Sequence, residues 1–292
     1  MLKDYLKEQA QFIDQELQSV VPALSAADAK LSEAMRYSLH AGGKRLRPIL
    51  LMAAAEAVGG DGRAFAKVAC GLEMIHTYSL IHDDLPVMDN DDYRRGKLTN
   101  HKVFGDAIAL LAGDALLTEA FAVILSQPKA DPAVLCQVAR EIAQAAGPAG
   151  MVGGQVVDLL SENKQIDSET LKYMHRQKTG ALFRAAVRSG ALLAGASTEQ
   201  LASLTDYAAH FGLAFQITDD ILDVVGTTEK IGKPVGSDER NHKSTYVTLY
   251  TLEGARKMAQ GCVIAADQAL ASFGSKAQNL SQLVQYLVAR ES

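Results

Sequence analysis

The chain has 292 residues, of which 48% are hydrophobic and 22% charged, so it can bury a sizeable core and is not a disordered chain. Lys and Arg total 29 against 34 Asp and Glu, a net charge of -5, and there is no Trp. A protein built to grip nucleic acid leans the other way and carries stacking aromatics, so no nucleic-acid partner is expected.

Three cysteines, Cys70, Cys136 and Cys262, lie far apart with no CxxC pair, which fits a reducing cytoplasm and speaks against a disulfide framework or a zinc finger. The first residues carry charge every few positions and do not read as a signal peptide. Apolar runs are broken by Arg47 and Glu56, and again by Asp106 and Asp114, short of the roughly 18 residues that span a bilayer. The expectation is a cytoplasmic chain without stable membrane insertion.

In chain order the prevailing period is helical. Leu2, Leu6, Ile13, Leu17 and Val20 share one face of a first helix that Pro22 stops. Further apolar-periodic stretches run over 29–40, 47–58, 63–85, 103–126, 132–146, 168–194, 199–225 and 253–290. Pro48 suits a first helical turn, where its missing N–H costs nothing. β-branched alternation is nearly missing, and no linker-like tract appears. One all-α domain over residues 1–292 is therefore predicted.

The densest chemical signal is HDDLPVMDNDDYRRGK, residues 82–97; the second is QITDDILDVV, residues 216–225. Each sets Asp-Asp near the end of an apolar helix, where carboxylates oppose the helix dipole and repel each other. Divalent cations are the natural compensation. Asp219 and Asp223 fall about 40° apart on a helix, so Gln216, Asp219, Asp220 and Asp223 form one polar stripe. Asp83 and Asp89 would stand about 240° apart on an ideal helix. Pro86 lies between them, so the helix should end there and Asp89 turn back toward Asp83. Oxygen-only donors suit Mg2+, which takes one or two carboxylates plus substrate phosphate.

Basic groups accompany the acids. GGKRLRP (42–48) brings Lys44, Arg45 and Arg47 after two glycines. Arg94 and Arg95 follow the first acidic cluster, RQKTG (176–180) carries Lys178, and Lys233 and Lys243 lie in GKP (232–234) and NHKST (241–245). A weak echo links Asp83-Asp84, Gly96-Lys97 and Asn100-His101-Lys102 with Asp219-Asp220, Gly232-Lys233 and Asn241-His242-Lys243, as two facing metal-and-phosphate arms would. Apolar Met74, Ile75, Tyr78, Leu80, Phe211, Phe215, Ile217 and Ile221 lie between these motifs, with no evident nucleophile or general base. Such parts suit electrostatic departure of diphosphate from an allylic carbon in a dry cavity.

In these motifs the chain resembles the trans-isoprenyl diphosphate synthases, most of all the bacterial farnesyl diphosphate synthases. The likeness runs in family order from GGKRLRP through DDLPVMDNDDYRRG, KTG and FQITDDILD to GKPVGSD and NHKSTY. It implies an all-α helical bundle around a central apolar cavity, a homodimer, and condensation of isopentenyl diphosphate with dimethylallyl or geranyl diphosphate. Proton loss to the released diphosphate would account for the missing base. By motif, Asp83, Asp84 and Asp89 correspond to one magnesium site and Asp219, Asp220 and Asp223 to the other. Arg94, Lys178, Lys233 and Lys243 correspond to allylic-diphosphate contacts, and Lys44, Arg47, His76 and Arg95 to the isopentenyl-diphosphate site. Thr179 and Gln216 correspond to groups whose oxygen dipoles steady the cation. Asn90 stands where related sequences often have Asp and is not counted as a ligand. Tyr78, beside Ser79 and about a turn before Asp83, implies a fifteen-carbon product; geranylgeranyl diphosphate synthase is the alternative.

Overall fold

The computed structural model describes residues 2–22, 25–226 and 244–289. Their architecture is α-helical, and its strands are a single hairpin of Tyr93–Arg94 and Lys97–Leu98. The helices are α1 (Leu2–Leu17), α2 (Ala29–Leu39), α3 (Leu46–Val58), α4 (Ala66–Asp83), α5 (Asn100–Phe104), α6 (Asp106–Leu125), α7 (Pro132–Ala146), α8 (Met151–Ser161), α9 (Ser168–His175), α10 (Ala181–Leu193), α11 (Thr198–Val225), α12 (Tyr246–Ala269) and α13 (Gln278–Ala289). A π-helical turn, Arg176–Gly180, joins α9 to α10.

The predicted stretches match most of these helices to within a few residues, and differ in the following places. The stretch 168–194 is interrupted by the π-turn, and α8 was not anticipated. Gly147, Pro148, Gly150, Gly153 and Gly154 crowd its start and mask the helical period. The last stretch begins earlier than expected, at Tyr246, with a non-helical Thr251 (φ 67°) just before the predicted start.

Local chemistry sets several ends. Ser197 and Gln200 form a capping box on α11: the Gln200 N–H donates to Ser197 Oγ at 3.2 Å, and the Ser197 N–H to Gln200 Oε1 at 3.0 Å. Pro132 opens α7 behind Asp131, whose carboxylate accepts from the Ala133 and Val134 N–H groups.

The chain divides into two compact units, Met1–Ile49 with Arg63–Ala139, and Leu50–Gly62 with Arg140–Ser292. In the first, α4 packs along α6 and also against α1 and α2. α6 is 20 residues long with a mean hydropathy of 2.0, so by length and composition it could cross a membrane, contrary to the sequence reading. Asp114 does not break the run, because it sits inside the helix. In the second unit, α11 packs on α10, α12 and α13. Phe183 meets Phe211 and Phe215 edge-on at 5.2 and 5.0 Å, and the fully buried Tyr207 donates its hydroxyl to Leu280 O at 2.8 Å. Burying each such side chain contributes about 1.5–3 kcal/mol.

Candidate active site

In the first unit the site grows from the C-terminal end of α4. The helix stops at Asp83, and the Asp89 N–H donates to Asp83 O at 2.9 Å, so the chain does fold back on itself across Pro86. Asn90 takes a left-handed conformation (φ 52°) and donates its N–H to Leu85 O, completing the turn. The hairpin follows. Its two central residues, Arg95 (φ 54°) and Gly96 (φ 76°), both have positive φ, as a two-residue turn matching strand twist requires. Arg94 and Arg95 thereby serve different partners.

Arg94 turns to Asp84. Its Nε donates to both carboxylate oxygens at 2.8 and 2.9 Å, and its Nη2 reaches Oδ1 at 2.6 Å. Burial works against the Arg94 charge, but the hydrogen bonds and charge of Asp84 outweigh it and raise its pKa. Asp84 is buried, Asp83 half-buried and Asp89 exposed. The motif thus separates one carboxylate committed to protein from two nearer solvent.

Arg95 reaches back to the first basic motif and donates Nη1 to Gly42 O. Its guanidinium carbon lies 2.7 Å from where a Cβ on Gly43 would stand, and Gly43 has φ 134°, so only glycine fits there. Arg45, also at positive φ (50°), is a structural anchor: it is buried, with ion pairs to Glu73 at 2.7 Å and Asp14 at 2.8 Å. Arg47 is half-buried, with its pKa pushed down to about 10 by burial; the Arg95 charge adds to the fall and Glu73 opposes it. Arg95 is lowered too, chiefly by burial. His76 is held well below the usual imidazole value by burial and then by Arg47, Arg95, Arg94 and Arg45. Guanidinia this close and this desolvated repel one another, and an anion among them relieves both costs. Lys44 is exposed beside this group.

Tyr78 is buried, 6% exposed, and meets the His82 ring edge-on at 5.6 Å. Ser79 donates its hydroxyl to His76 O at 2.9 Å. Met74 and Ile75 are fully buried. The NHK run at 100–102 is structural: Asn100 donates to Ala34 O and Ser38 Oγ, both at 2.8 Å, and Lys102 pairs with Asp92 at 2.7 Å. Its echo at 241–243, and with it Lys233 and Lys243, lies outside the described residues.

In the second unit a relay links three of the expected residues, Thr179, Gln216 and Asp220, to the backbone of Tyr246. Thr179 donates its hydroxyl to Gln216 Oε1 at 3.2 Å, Gln216 Nε2 donates to Asp220 Oδ1 at 3.0 Å, and the Tyr246 N–H donates to Asp220 Oδ2 at 2.8 Å. Asp220 is buried and committed on both oxygens. Asp219 is half-buried and Asp223 buried. Lys178 pairs with Asp158 of α8 at 2.6 Å. Sequence reasoning missed Asp158. Its signal was the Gly154-to-Asp158 spacing, which puts both on one face of α8.

Residues 28–286 match the family model described as polyprenyl synthetase. The chain is 48% identical to a farnesyl diphosphate synthase of Geobacillus stearothermophilus, covering 99% of this chain and 98% of that one. It is 45% identical to a geranylgeranyl diphosphate synthase of Cyanophora paradoxa, over 100% of this chain and 97% of that one. Among solved structures it is similar to an FPP/GFPP synthase from Zymomonas mobilis, with a TM-score of 0.89, 39% identity and 98% of each chain covered. The all-helical fold and these likenesses define a prenyl-chain synthase. The chain belongs to the polyprenyl synthetase family.

Proposed function

We propose that the chain condenses isopentenyl diphosphate head-to-tail with dimethylallyl or geranyl diphosphate to give (2E,6E)-farnesyl diphosphate and diphosphate. The observation that carries this is the full-length likeness to a farnesyl diphosphate synthase. The enzyme is one polyprenyl synthase domain over residues 1–292, a reading supported by the family match over 28–286.

The donors fit magnesium. Among the described residues no three His, Cys, Asp or Glu side chains converge on one point. Magnesium asks for less: one or two carboxylates, with substrate phosphate and water as its remaining ligands. Asp83 and Asp89, joined by the 2.9 Å backbone bond, would hold it at the first motif, and Asp219 with Asp223 at the second. Asp84 and Asp220 act one step behind, fixing Arg94 and Gln216. When bound, the metal offsets the charge of the diphosphate leaving group.

The chain's own residues do the rest. Arg94 and Lys178 donate charge-assisted hydrogen bonds to the allylic diphosphate, with Lys233 and Lys243 as further contacts. Lys44, Arg47, His76 and Arg95 take the diphosphate of isopentenyl diphosphate, which compensates their mutual repulsion. His76, held neutral, supplies a hydrogen bond rather than a charge. Thr179 spends its proton on Gln216 Oε1, so its oxygen lone pairs remain for the allylic cation. Apolar surroundings keep water from the reacting carbon. The proton lost after alkene attack goes to the departing diphosphate. Tyr78 caps the tail at fifteen carbons. The enzyme works in the cytoplasm as a homodimer, a second copy covering the exposed Leu110 and Leu111 of α6.

Incubation with isopentenyl diphosphate, geranyl diphosphate and magnesium, followed by chromatography, should give a fifteen-carbon product. A twenty-carbon main product would move the assignment to geranylgeranyl diphosphate synthesis. Tyr78→Ala should lengthen the product; an unchanged profile would remove Tyr78 from chain-length control.

A further inference from the structure

Asp158 lies on α8, the helix that the sequence pattern hides. Only 11% of its side chain is exposed, and Oδ2 accepts from Lys178 Nζ at 2.6 Å. A lysine near a surface ordinarily extends its ammonium into water. Here the ammonium is drawn to a nearly buried carboxylate 20 residues away in sequence.

Three features bring it there. The π-turn Arg176–Gly180 holds an extra residue per turn, which rotates Lys178 relative to a continuous helix; such turns recur at functional sites. Gly154, one turn before Asp158 on the same face of α8, leaves room for the backbone of Lys178: a Cβ there would overlap the Lys178 nitrogen. On the other flank the Cα of Gly180 comes within 3.1 Å of where a Cβ on Gly212 of α11 would stand. Glycines on both sides let the Lys178-Thr179-Gly180 segment fit closely between α8 and α11, and the side chains at its centre are then fixed individually. Lys178 is held by Asp158, and Thr179 by Gln216.

We propose that Asp158 is a positioning residue for Lys178. It holds the four-carbon stem in one arrangement, with one N–H on its carboxylate and two left for the oxygens of a diphosphate. The rotamer freedom of the stem is then lost on folding rather than on substrate binding. This rests on the reading of Lys178 as a diphosphate contact.

Steady-state kinetics of the full chain with geranyl and isopentenyl diphosphate tests it. Asp158→Asn should lower kcat/KM for geranyl diphosphate by about tenfold to a hundredfold, the cost of misplacing a reacting or binding group by an ångström, and leave the KM for isopentenyl diphosphate unchanged. Asp158→Glu, which keeps the charge, should recover part of the loss; no recovery overturns the proposal. In a Lys178→Ala background Asp158→Asn should cost nothing further. An equal penalty in both backgrounds would show that Asp158 acts on the fold and not through Lys178. If Lys178→Ala itself leaves kcat/KM for geranyl diphosphate intact, the diphosphate assignment of Lys178 falls, and the role of Asp158 with it. Thermal melting accompanies each variant; should Asp158→Asn unfold, the non-additivity is read from Asp158→Glu.

Discussion

The two Asp-Asp motifs look alike in sequence and are built differently. In the first, Asp84 is held by a charge, the guanidinium of Arg94 ten residues on, delivered by a hairpin. In the second, Asp220 accepts from the Gln216 amide one turn back on α11 and from the Tyr246 N–H at the start of α12. In both, the second aspartate of the pair is the buried one and the first is half-buried. A repeated acidic pair is thus one half-buried carboxylate and one buried carboxylate that anchors a neighbour. The loop delivers a guanidinium to its buried carboxylate, and the helix a side-chain amide to the other.

The largest expected effect tests that division of labour. Asp83→Ala and Asp219→Ala should each lower kcat by at least about 10²–10³-fold, as loss of a main electrostatic support does. Asp84→Ala should instead cost stability, about 3 kcal/mol, because it strands the Arg94 guanidinium, which is only 30% exposed. Asp220→Ala, which leaves the Gln216 amide and the Tyr246 N–H without their acceptor, should cost at least about 1–3 kcal/mol. Denaturant melts and single-turnover rates on the four variants decide. The comparison breaks if Asp84→Ala melts like the parent yet loses rate as Asp83→Ala does.

A smaller effect probes the loop-built side alone. Gly43→Ala places a methyl where the Arg95 guanidinium lies, on a backbone at φ 134° that alanine resists. The KM for isopentenyl diphosphate should rise about tenfold or more, with geranyl diphosphate little affected. A rise confined to geranyl diphosphate would exchange the roles of Arg94 and Arg95.

Helices α1 to α4, α6, α7 and α11 were legible in the sequence as apolar-periodic stretches. The fold-back at Pro86 was legible for a local reason too, since proline disfavours continuing the helix. The site was readable as residue types and not as partnerships. Nothing local in Asp83-Asp84 says which carboxylate turns inward; the hairpin decides that, and its Arg95-Gly96 turn carries only a faint signature. Arg45 and Arg47 sit two apart in one basic motif, yet one is a buried anchor to Glu73 and Asp14 and the other belongs to the basic cluster around His76. α8 was hidden because of its glycines, of which Gly154 serves close approach of the Lys178 backbone, which helical propensity penalises and packing rewards.

The smallest expected effect is a pH slope that belongs to the basic cluster. His76 is depressed well below 6.5 by burial and by Arg47, Arg95, Arg94 and Arg45. In the unfolded chain it regains its ordinary pKa, so as the pH falls below 6.5 the unfolded state takes up a proton that the fold refuses. Stability contributed by neutral His76 is therefore complete above that pH. Below it the loss is at most about 1.4 kcal/mol per unit, and less for a half-buried ring. Other carboxylates titrate in the same window, so the quantity to measure is the difference in urea-unfolding free energy between the parent and His76→Gln from pH 7 to pH 5. The parent should lose stability faster as the pH falls. Added inorganic diphosphate, by compensating the guanidinia, should shrink the difference. Identical slopes with and without the imidazole would mean that the four arginines do not crowd His76, and the loop-built side of the comparison would lose its electrostatic basis.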